Sequence, residues 1–373
     1  MKRSHVRPHR LVLAVVAFAG IGCAADPPKQ TDGGPIGGAG GEGNGGNGGA
    51  PPGPAGSLPV PPGPGDLPPP SGTPGNLKVL NWAGFKSALT YTFDDAQPSQ
   101  VEHYAELQAT GVRHTFFVTS SSSGFDATFT QAVKDGHEMG NHTVHHCHAD
   151  LTGCSNTGSA PVSVDAELDD CNSYITSHLG QGAVWTAASP FGDSGWDTPD
   201  MSRFFLNRGV ASGTVSPNDN NDPFNLPCHA AVEGETAAMF NAVIDDVDAR
   251  NRWAIFLVHT INPTSQNWYA PIDISVITDS VAHAKSLGDV WIDSMVNVGA
   301  YWRGQKLLST ATPAAAGGAQ TWTWKLPTQF PRGRALRITV DGGTPSQNGT
   351  PLTWDPHGYY EIALDAESLT LSP

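Results

Sequence analysis

Positive charge is scarce in this 373-residue chain, with 20 Lys and Arg against 35 Asp and Glu. Four of those 20 fall within residues 1–22, so the remainder carries 16 against 35, a net of −19. So acidic a chain excludes nucleic acid and an anionic membrane surface as partners and favours neutral or cationic material. Cys-x-x-Cys spacing is also missing, which removes the common structural zinc patterns. The four cysteines after Cys23, namely Cys147, Cys154, Cys171 and Cys228, are an even number, and in an exported chain they are expected to form two disulfides in one of three pairings.

No apolar run early in the chain is long enough to span a bilayer. LVLAVVAFAG follows the basic start MKRSHVRPHR, the pattern of an export signal. Small residues precede Cys23, so residues 1–22 resemble a lipoprotein-type signal peptide with Cys23 as the lipidated terminus. An ordinary signal cleaved nearby, with Cys23 left free, is the alternative. The expected location is the bacterial outer membrane or cell surface, with membrane contact only through the lipid at Cys23, or otherwise the secreted fraction. From Ala24 to Gly75 there is no aromatic residue, and Gly and Pro dominate. Such a stretch cannot bury enough apolar surface to offset chain entropy, so residues 23–76 are expected to form a disordered linker.

From Leu77 short apolar runs alternate with amphipathic segments. Strands are expected at 87–93, 114–119, 137–142, 183–189, 210–215, 253–259 and 289–295. Helical patterns lie between them, TPDMSRFFLNRG among them, and VNVGAYWRG follows the last strand. Seven alternations imply an α/β fold, a distorted (β/α)7 barrel over residues 77–304. After Gln305 short strands punctuated by Gly, Pro and Asn-Gly imply a small all-β sandwich over 305–373, packed on the barrel. Trp322, Trp324, Trp354, Tyr359 and Tyr360 are expected mainly to fill its core.

In a parallel barrel, chemistry collects at the C-terminal ends of strands. The first strand ends in Thr92-Phe93-Asp94-Asp95, two adjacent carboxylates that repel unless a cation or shared proton intervenes. Alone, the pair reads equally as a turn capping the next helix. The third strand ends in Asn141-His142-Thr143-Val144-His145-His146, where His142 and His146 fall on one side of a turn. With a carboxylate, two imidazoles suit Zn²⁺, and also Co²⁺, Ni²⁺ or Mn²⁺. The sixth strand delivers His259 after an apolar run, and the fourth runs into the tight turn Ser189-Pro190-Phe191-Gly192. Trp268 and Tyr269 follow His259 closely, where they either stack on a sugar ring or pack the loop. His137, His145, His148 and His229 are read as structural or solvent-facing.

Taken together these residues resemble the NodB-type polysaccharide deacetylases, carbohydrate esterase family 4, from about Ser87 to Gly304. The first motif, T-F-D-D, is Thr92 to Asp95; the second, H-[ST]-x-x-H, is His142 to His146; the fifth ends in His259. The resemblance implies that Asp95, His142 and His146 hold a divalent metal, with Thr143 bracing their loop. It implies further that Asp94 is the catalytic base, His259 the general acid and the Phe191 N–H the oxyanion donor, with Pro190, Trp268 and Tyr269 contacting substrate. The implied enzyme is a metal-dependent hydrolase, acting as a monomer on acetyl groups of an N-acetylglucosamine polymer such as chitin or peptidoglycan. The alternatives are an acetyl xylan esterase and an inactive carbohydrate-binding protein. Two departures stand out. The third motif usually reads R-P-P-Y-G, whereas Ala188 to Gly192 carry no arginine to brace Asp94. The fourth motif has no clear counterpart, leaving Asp219 and Asp222 as candidates to orient His259.

Overall fold

The structure is a computed structural model that describes residues 57–121, 125–155, 158–266 and 268–373. The expected signal peptide, Cys23 and the first part of the linker lie outside the described residues.

Among the described residues, nineteen strands and eight helices carry the fold. The first strand, β1 (Lys78–Val79), precedes β2 (Ser87–Phe93), β3 (Thr115–Val118), β4 (Glu138–Asn141) and β5 (Thr186–Ala188). After them come β6 (Leu206–Ser212), β7 (Leu226–Ala230) and β8 (Trp253–Val258). Strands β2 to β8 pair in sequence, all parallel, and β8 closes back onto β2, with Ala88 opposite Trp253 and Phe93 opposite Val258. The ring therefore has seven strands, as expected. Two-residue strands β9 (Ile261–Asn262) and β10 (Ile272–Asp273) pair beside it. The short β11 (Val290–Ile292) joins only the first half of β2, whose second half pairs with β3.

Helices cover the ring: α1 (Pro98–Glu102), α2 (Tyr104–Ala109), α3 (Asp126–Lys134), α4 (Val164–Ser177), α5 (Asp197–Met201), α6 (Ala237–Ala249), α7 (Ile274–Leu287) and α8 (Met295–Thr310). Strand residues alternate between two cores, as a period of two requires. Trp253, Ile255 and Leu257 join the interior cluster, while Ala254, Phe256 and Val258 join the cluster under the helices. Both faces of a barrel strand are buried, so these strands read as continuous apolar runs.

Three elements differ from the sequence reading. TPDMSRFFLNRG is helical only to Met201, and its second half opens β6. Strand β7 is not among the expected strands; its Pro227 falls where the β6–β7 register shifts, the kind of irregularity that tolerates proline. The expected strand at 289–295 is β11, outside the closed ring.

Helix α8 joins barrel to tail. Its first turn is satisfied by the barrel floor, where the Met295 N–H donates to Thr115 Oγ1 and the Val296 N–H to Glu138 Oε2, both at 2.8 Å. A Cβ at Gly299 would lie 2.0 Å from Leu206 Cδ1, so only glycine lets the helix approach this closely. The boundary expected at 304 falls inside α8.

Beyond α8 two antiparallel sheets form the tail: β12 (Ala314–Ala316), β13 (Ala319–Thr323), β14 (Ala335–Thr339), β15 (Thr344–Gln347), β16 (Thr350–Pro351), β17 (Trp354–Asp355), β18 (Tyr359–Ala363) and β19 (Ser368–Ser372). Their orders are β1-β14-β18-β17 and β12-β13-β19-β15-β16. Strand β1 precedes the barrel in sequence yet belongs to the tail sheet. One hydrophobic cluster runs from Trp253 and Leu206 through Trp302 to Leu336, Ile338 and Leu369. Trp322, Trp324, Tyr359 and Tyr360 are buried in the tail, as core residues should be.

The later part of the expected linker, residues 57–76, is irregular with several bends, yet tied down. The buried Arg337 donates to the carbonyls of Pro59 (2.6 Å), Leu58 (3.3 Å) and Ala83 (2.8 Å), and its guanidinium lies 4.2 Å from the Tyr359 ring centroid. Gly72 N–H donates to Asp341 O, and Trp354 Nε1 to Leu67 O. Composition alone suggests disorder here; a partner surface supplies the order. Arg337→Ala, which strands three carbonyls, is expected to destabilise the fold by about 2–4 kcal/mol and to open residues 57–76 to proteolysis. Denaturant unfolding with limited digestion checks both.

Candidate active site

The strand ends bring the expected residues together. Asp94 N–H continues the β2–β8 ladder by donating to Val258 O at 3.0 Å, which sets Asp94 and Asp95 beside His259. His142 and His146 follow β4. The carboxylate of Asp95 and both imidazoles offer ligand atoms within 4.8 Å of one another. Asp95 Oδ1 lies 3.3 Å from His142 Nε2 and 3.5 Å from His146 Nε2.

Surrounding groups aim these ligands. His142 Nδ1 is 2.8 Å from the Ala188 carbonyl, which can only accept, so that nitrogen carries the proton and Nε2 presents its lone pair. His146 Nδ1 is 3.1 Å from Ser155 Oγ. Asp95 Oδ2 accepts from Gln97 Nε2 at 3.1 Å, and Gln97 in turn accepts from Thr260. Thr143 braces the loop as expected, its Oγ1 accepting from His146 N at 3.0 Å. Glu167 Oε2 accepts from Val144 N and His145 N, and its Oε1 lies 2.5 Å from His145 Nδ1. His145 is thus structural. One carboxylate and two oriented imidazoles are a donor set that fits a divalent cation of the zinc kind.

Asp95, Ala96, Thr143, His146 and Phe191 all have left-handed backbones, with φ between 51° and 72°. Such conformations persist in non-glycine residues only where the surroundings hold them, and here they gather at one mouth.

Charge at the site is balanced internally. Burial works against the charged form of Asp95, but the hydrogen bond and charge of His142, with His259 and His146, hold its carboxyl well below the usual range. Burial lowers His142, yet Asp94 and Asp95 outweigh it and the net shift is upward. Burial pushes His146 down to about 4, helped by the charge on His142. His259 is lowered by burial, against the pull of Asp94 and Asp95.

Asp94 is 2% exposed, and its Oδ2 accepts from Arg208, a fully buried residue of β6. Its Oδ1 has no hydrogen-bond partner among the described residues. The brace that the sequence lacks at Ala188 is therefore present, on the neighbouring strand. Arg208 stands directly across from Ala188 in the β5–β6 register, and shares the inward parity of Leu206. The helical pattern of TPDMSRFFLNRG hides it; the signal available in sequence is an arginine inside the apolar stretch FFLNRGV.

These residues line one cavity of about 550 Å³ with Ser155, Ser189, Phe191, Val210, Val232 and Tyr269. Phe191 is 47% exposed and sits edge-on to His146, centroids 4.4 Å apart. Tyr269 meets His259 edge to face at 4.9 Å. Trp268 is half exposed and Pro190 is buried, and neither is among the lining residues. Neither Asp219 nor Asp222 orients His259: Asp219 accepts from Ser216 N and Asn221 N, and Asp222 from Phe224 N. His259 Nδ1 has no hydrogen-bond partner among the described residues. The expected second disulfide is also absent. Cys147 and Cys154 are joined, whereas Cys171 and Cys228 are buried thiols that donate to Val118 O and Gly209 O.

Residues 84–203 match the family model described as polysaccharide deacetylase. The polysaccharide deacetylase match is thus confined to these 120 residues of the chain. No curated protein matches the chain. Among solved structures, it is similar to the Xyl-CE4 domain of a multidomain xylanase from the hindgut metagenome of Trinervitermes trinervoides, at 16% identity over 57% of this chain and 89% of that one (TM-score 0.39). It is also similar to a family 4 acetyl xylan esterase from Clostridium thermocellum, at 16% identity over 57% and 90% (TM-score 0.38). A third is peptidoglycan deacetylase PdaC from Bacillus subtilis, at 18% identity over 59% and 93% (TM-score 0.39).

Within the barrel, just beyond the matched residues, Arg208 supplies the counter-charge and the orientation of a carboxylate that is out of water. Arg208→Ala is expected to lower deacetylation roughly 100-fold, with Arg208→Lys intermediate, while zinc still binds. Acetate release measured beside zinc affinity distinguishes this from collapse of the site.

Proposed function

We propose that the chain removes acetyl groups from an extracellular or cell-wall polysaccharide, with N-acetylglucosamine polymers as its substrate class. The observation that carries the reading is the placement of Asp94 and His259 in the same cavity as Asp95, His142 and His146. Asp95, His142 and His146 would hold a divalent cation, most simply Zn²⁺, which when bound would supply Lewis acidity toward water and the acetyl carbonyl. Asp94 Oδ1, its partner oxygen fixed by Arg208, takes the proton of the attacking water. His259 gives a proton to the departing amine as the C–N bond breaks, so that an amide and water yield acetate and an amino sugar. The N–H of Phe191 is the donor assigned to the oxyanion.

Substrate charge supports a glycan of this kind. The residues lining the cavity include two carboxylates and no Lys or Arg, which suits a neutral acetylated sugar and a cationic deacetylated product. Phe191 and Tyr269 offer exposed aromatic surface at the rim for sugar rings. We place the protein outside the cytoplasm, lipid-anchored through Cys23 to the outer membrane or cell surface, or else secreted. The support is the basic-then-apolar start of the chain and a disulfide of the sort that persists in oxidising compartments.

Acetate release from chitin oligomers, peptidoglycan and acetylated xylan, with and without a chelator, tests the proposal. Release from the N-acetyl substrates that stops on chelation is the expected result. Release from xylan alone moves the assignment to an O-acetyl esterase, and none from any substrate leaves a binding protein. Asp94→Asn and His259→Ala are each expected to lose activity by roughly 10²–10⁴-fold with zinc retained. Full activity of the Asp94 variant removes the general-base assignment.

A further inference from the structure

The loop that follows His146 is built around it. Cys147, the next residue, is disulfide-bonded to Cys154, with their Cα atoms 3.9 Å apart. The chain between them turns back on itself, with the Leu151 N–H donating to His148 O at 2.8 Å and the His148 N–H to Thr152 O at 2.9 Å. One step inward from the disulfide, Ser155 N–H donates to His146 O at 3.1 Å, and Ser155 Oγ lies 3.1 Å from His146 Nδ1. Metal ligand and hydroxyl therefore form the innermost rung of a disulfide-closed hairpin.

This rung has work to do in backbone terms. His146 sits at φ 51°, a left-handed conformation that an imidazole-bearing residue keeps only when its surroundings over-determine it. The disulfide joins the residues immediately beside His146 and Ser155, so the pair cannot separate without distorting the ring it closes. The outer end of the loop is anchored as well. The buried Trp196 donates through Nε1 to Cys147 O at 3.2 Å, and Ala149 N–H donates to Asp193 Oδ2 at 3.0 Å. His148 stacks on Phe191, centroids 4.3 Å apart, so that Phe191 lies between His148 and His146.

We propose that residues 146–155 form a covalently closed clamp in which Ser155 is a positioning residue for His146, and that tight metal binding depends on the Cys147–Cys154 bond. An imidazole that gives its Nε2 lone pair to a metal carries its proton on Nδ1, and Ser155 Oγ is the acceptor placed to receive it. Loss of the hydroxyl frees the ring to rotate; loss of the disulfide lets the rung part. The inference rests on the reading of Asp95, His142 and His146 as a metal site.

The test is zinc affinity of the full chain, measured by competition with a chromophoric chelator, for the parent and for Ser155→Ala, Ser155→Thr, Cys147→Ala/Cys154→Ala and His142→Ala. Ser155→Ala and the double cysteine variant are each expected to bind zinc roughly 10–100-fold more weakly, with Ser155→Thr restoring the parent value. The metal-free Ser155→Ala protein should melt with the parent, since its side chain is at the surface. Ser155→Ala binding as tightly as the parent overturns the clamp. A His142→Ala protein that binds as the parent does overturns the metal site itself, and the clamp with it.

Discussion

Closure of the barrel between β2 and β8 is the constraint on which the site depends. Six consecutive register pairs from Ala88–Trp253 to Phe93–Val258 fix where both strands end, so Asp94 and His259 emerge side by side although 165 positions separate them in sequence. Gln100 secures the junction from outside, donating to the carbonyls of Asp94 and His259. A slip of one residue would turn Asp94 to the helix side and Asp95 inward. Asp94, His259 and Asp95 are thus placed by backbone pairing before any side chain chooses a rotamer.

The second organising contact is the ion pair between Asp94 and Arg208. Both partners are out of water, where a lone carboxylate is strongly disfavoured. Moving the guanidinium from the β5 position to the residue across from it on β6 keeps it in the same layer of the barrel interior. The backbone carbonyl of Ala188 sets the tautomer of His142.

How far the sequence could be read depended on the range of the interactions involved. Asp95, His142 and His146 were legible because Asp95 directly follows the apolar run of β2 and the two histidines lie four residues apart in the loop after β4. The helices α3, α4, α6, α7 and α8 were legible for similar local reasons. Arg208 was not, since its partner lies 114 positions away and Ser202 to Gly209 resembled the end of a helix. Strand β7 was hidden by Pro227, whose irregular register only the neighbouring strand reveals. Residues 57–76 looked disordered because their order is supplied by Arg337, far along the chain. The pairing of Cys147 with Cys154 was among three alternatives that spacing could not separate, and burial of Cys171 and Cys228 as thiols has no signature in sequence.

Sharing of one hydrophobic core between the barrel floor, α8 and the tail sheets has a consequence for the protein's modular character. Leu336, Ile338 and Leu369 are as much the underside of the barrel as the centre of the sandwich. Because β1 contributes an edge strand to the tail sheet from ahead of the barrel, the two parts are also interlaced in chain order. An appended domain of this kind is not a detachable accessory. Cut at the end of the barrel, the catalytic half would present a wide apolar face to water, and heated intact, the pair would melt as one cooperative body.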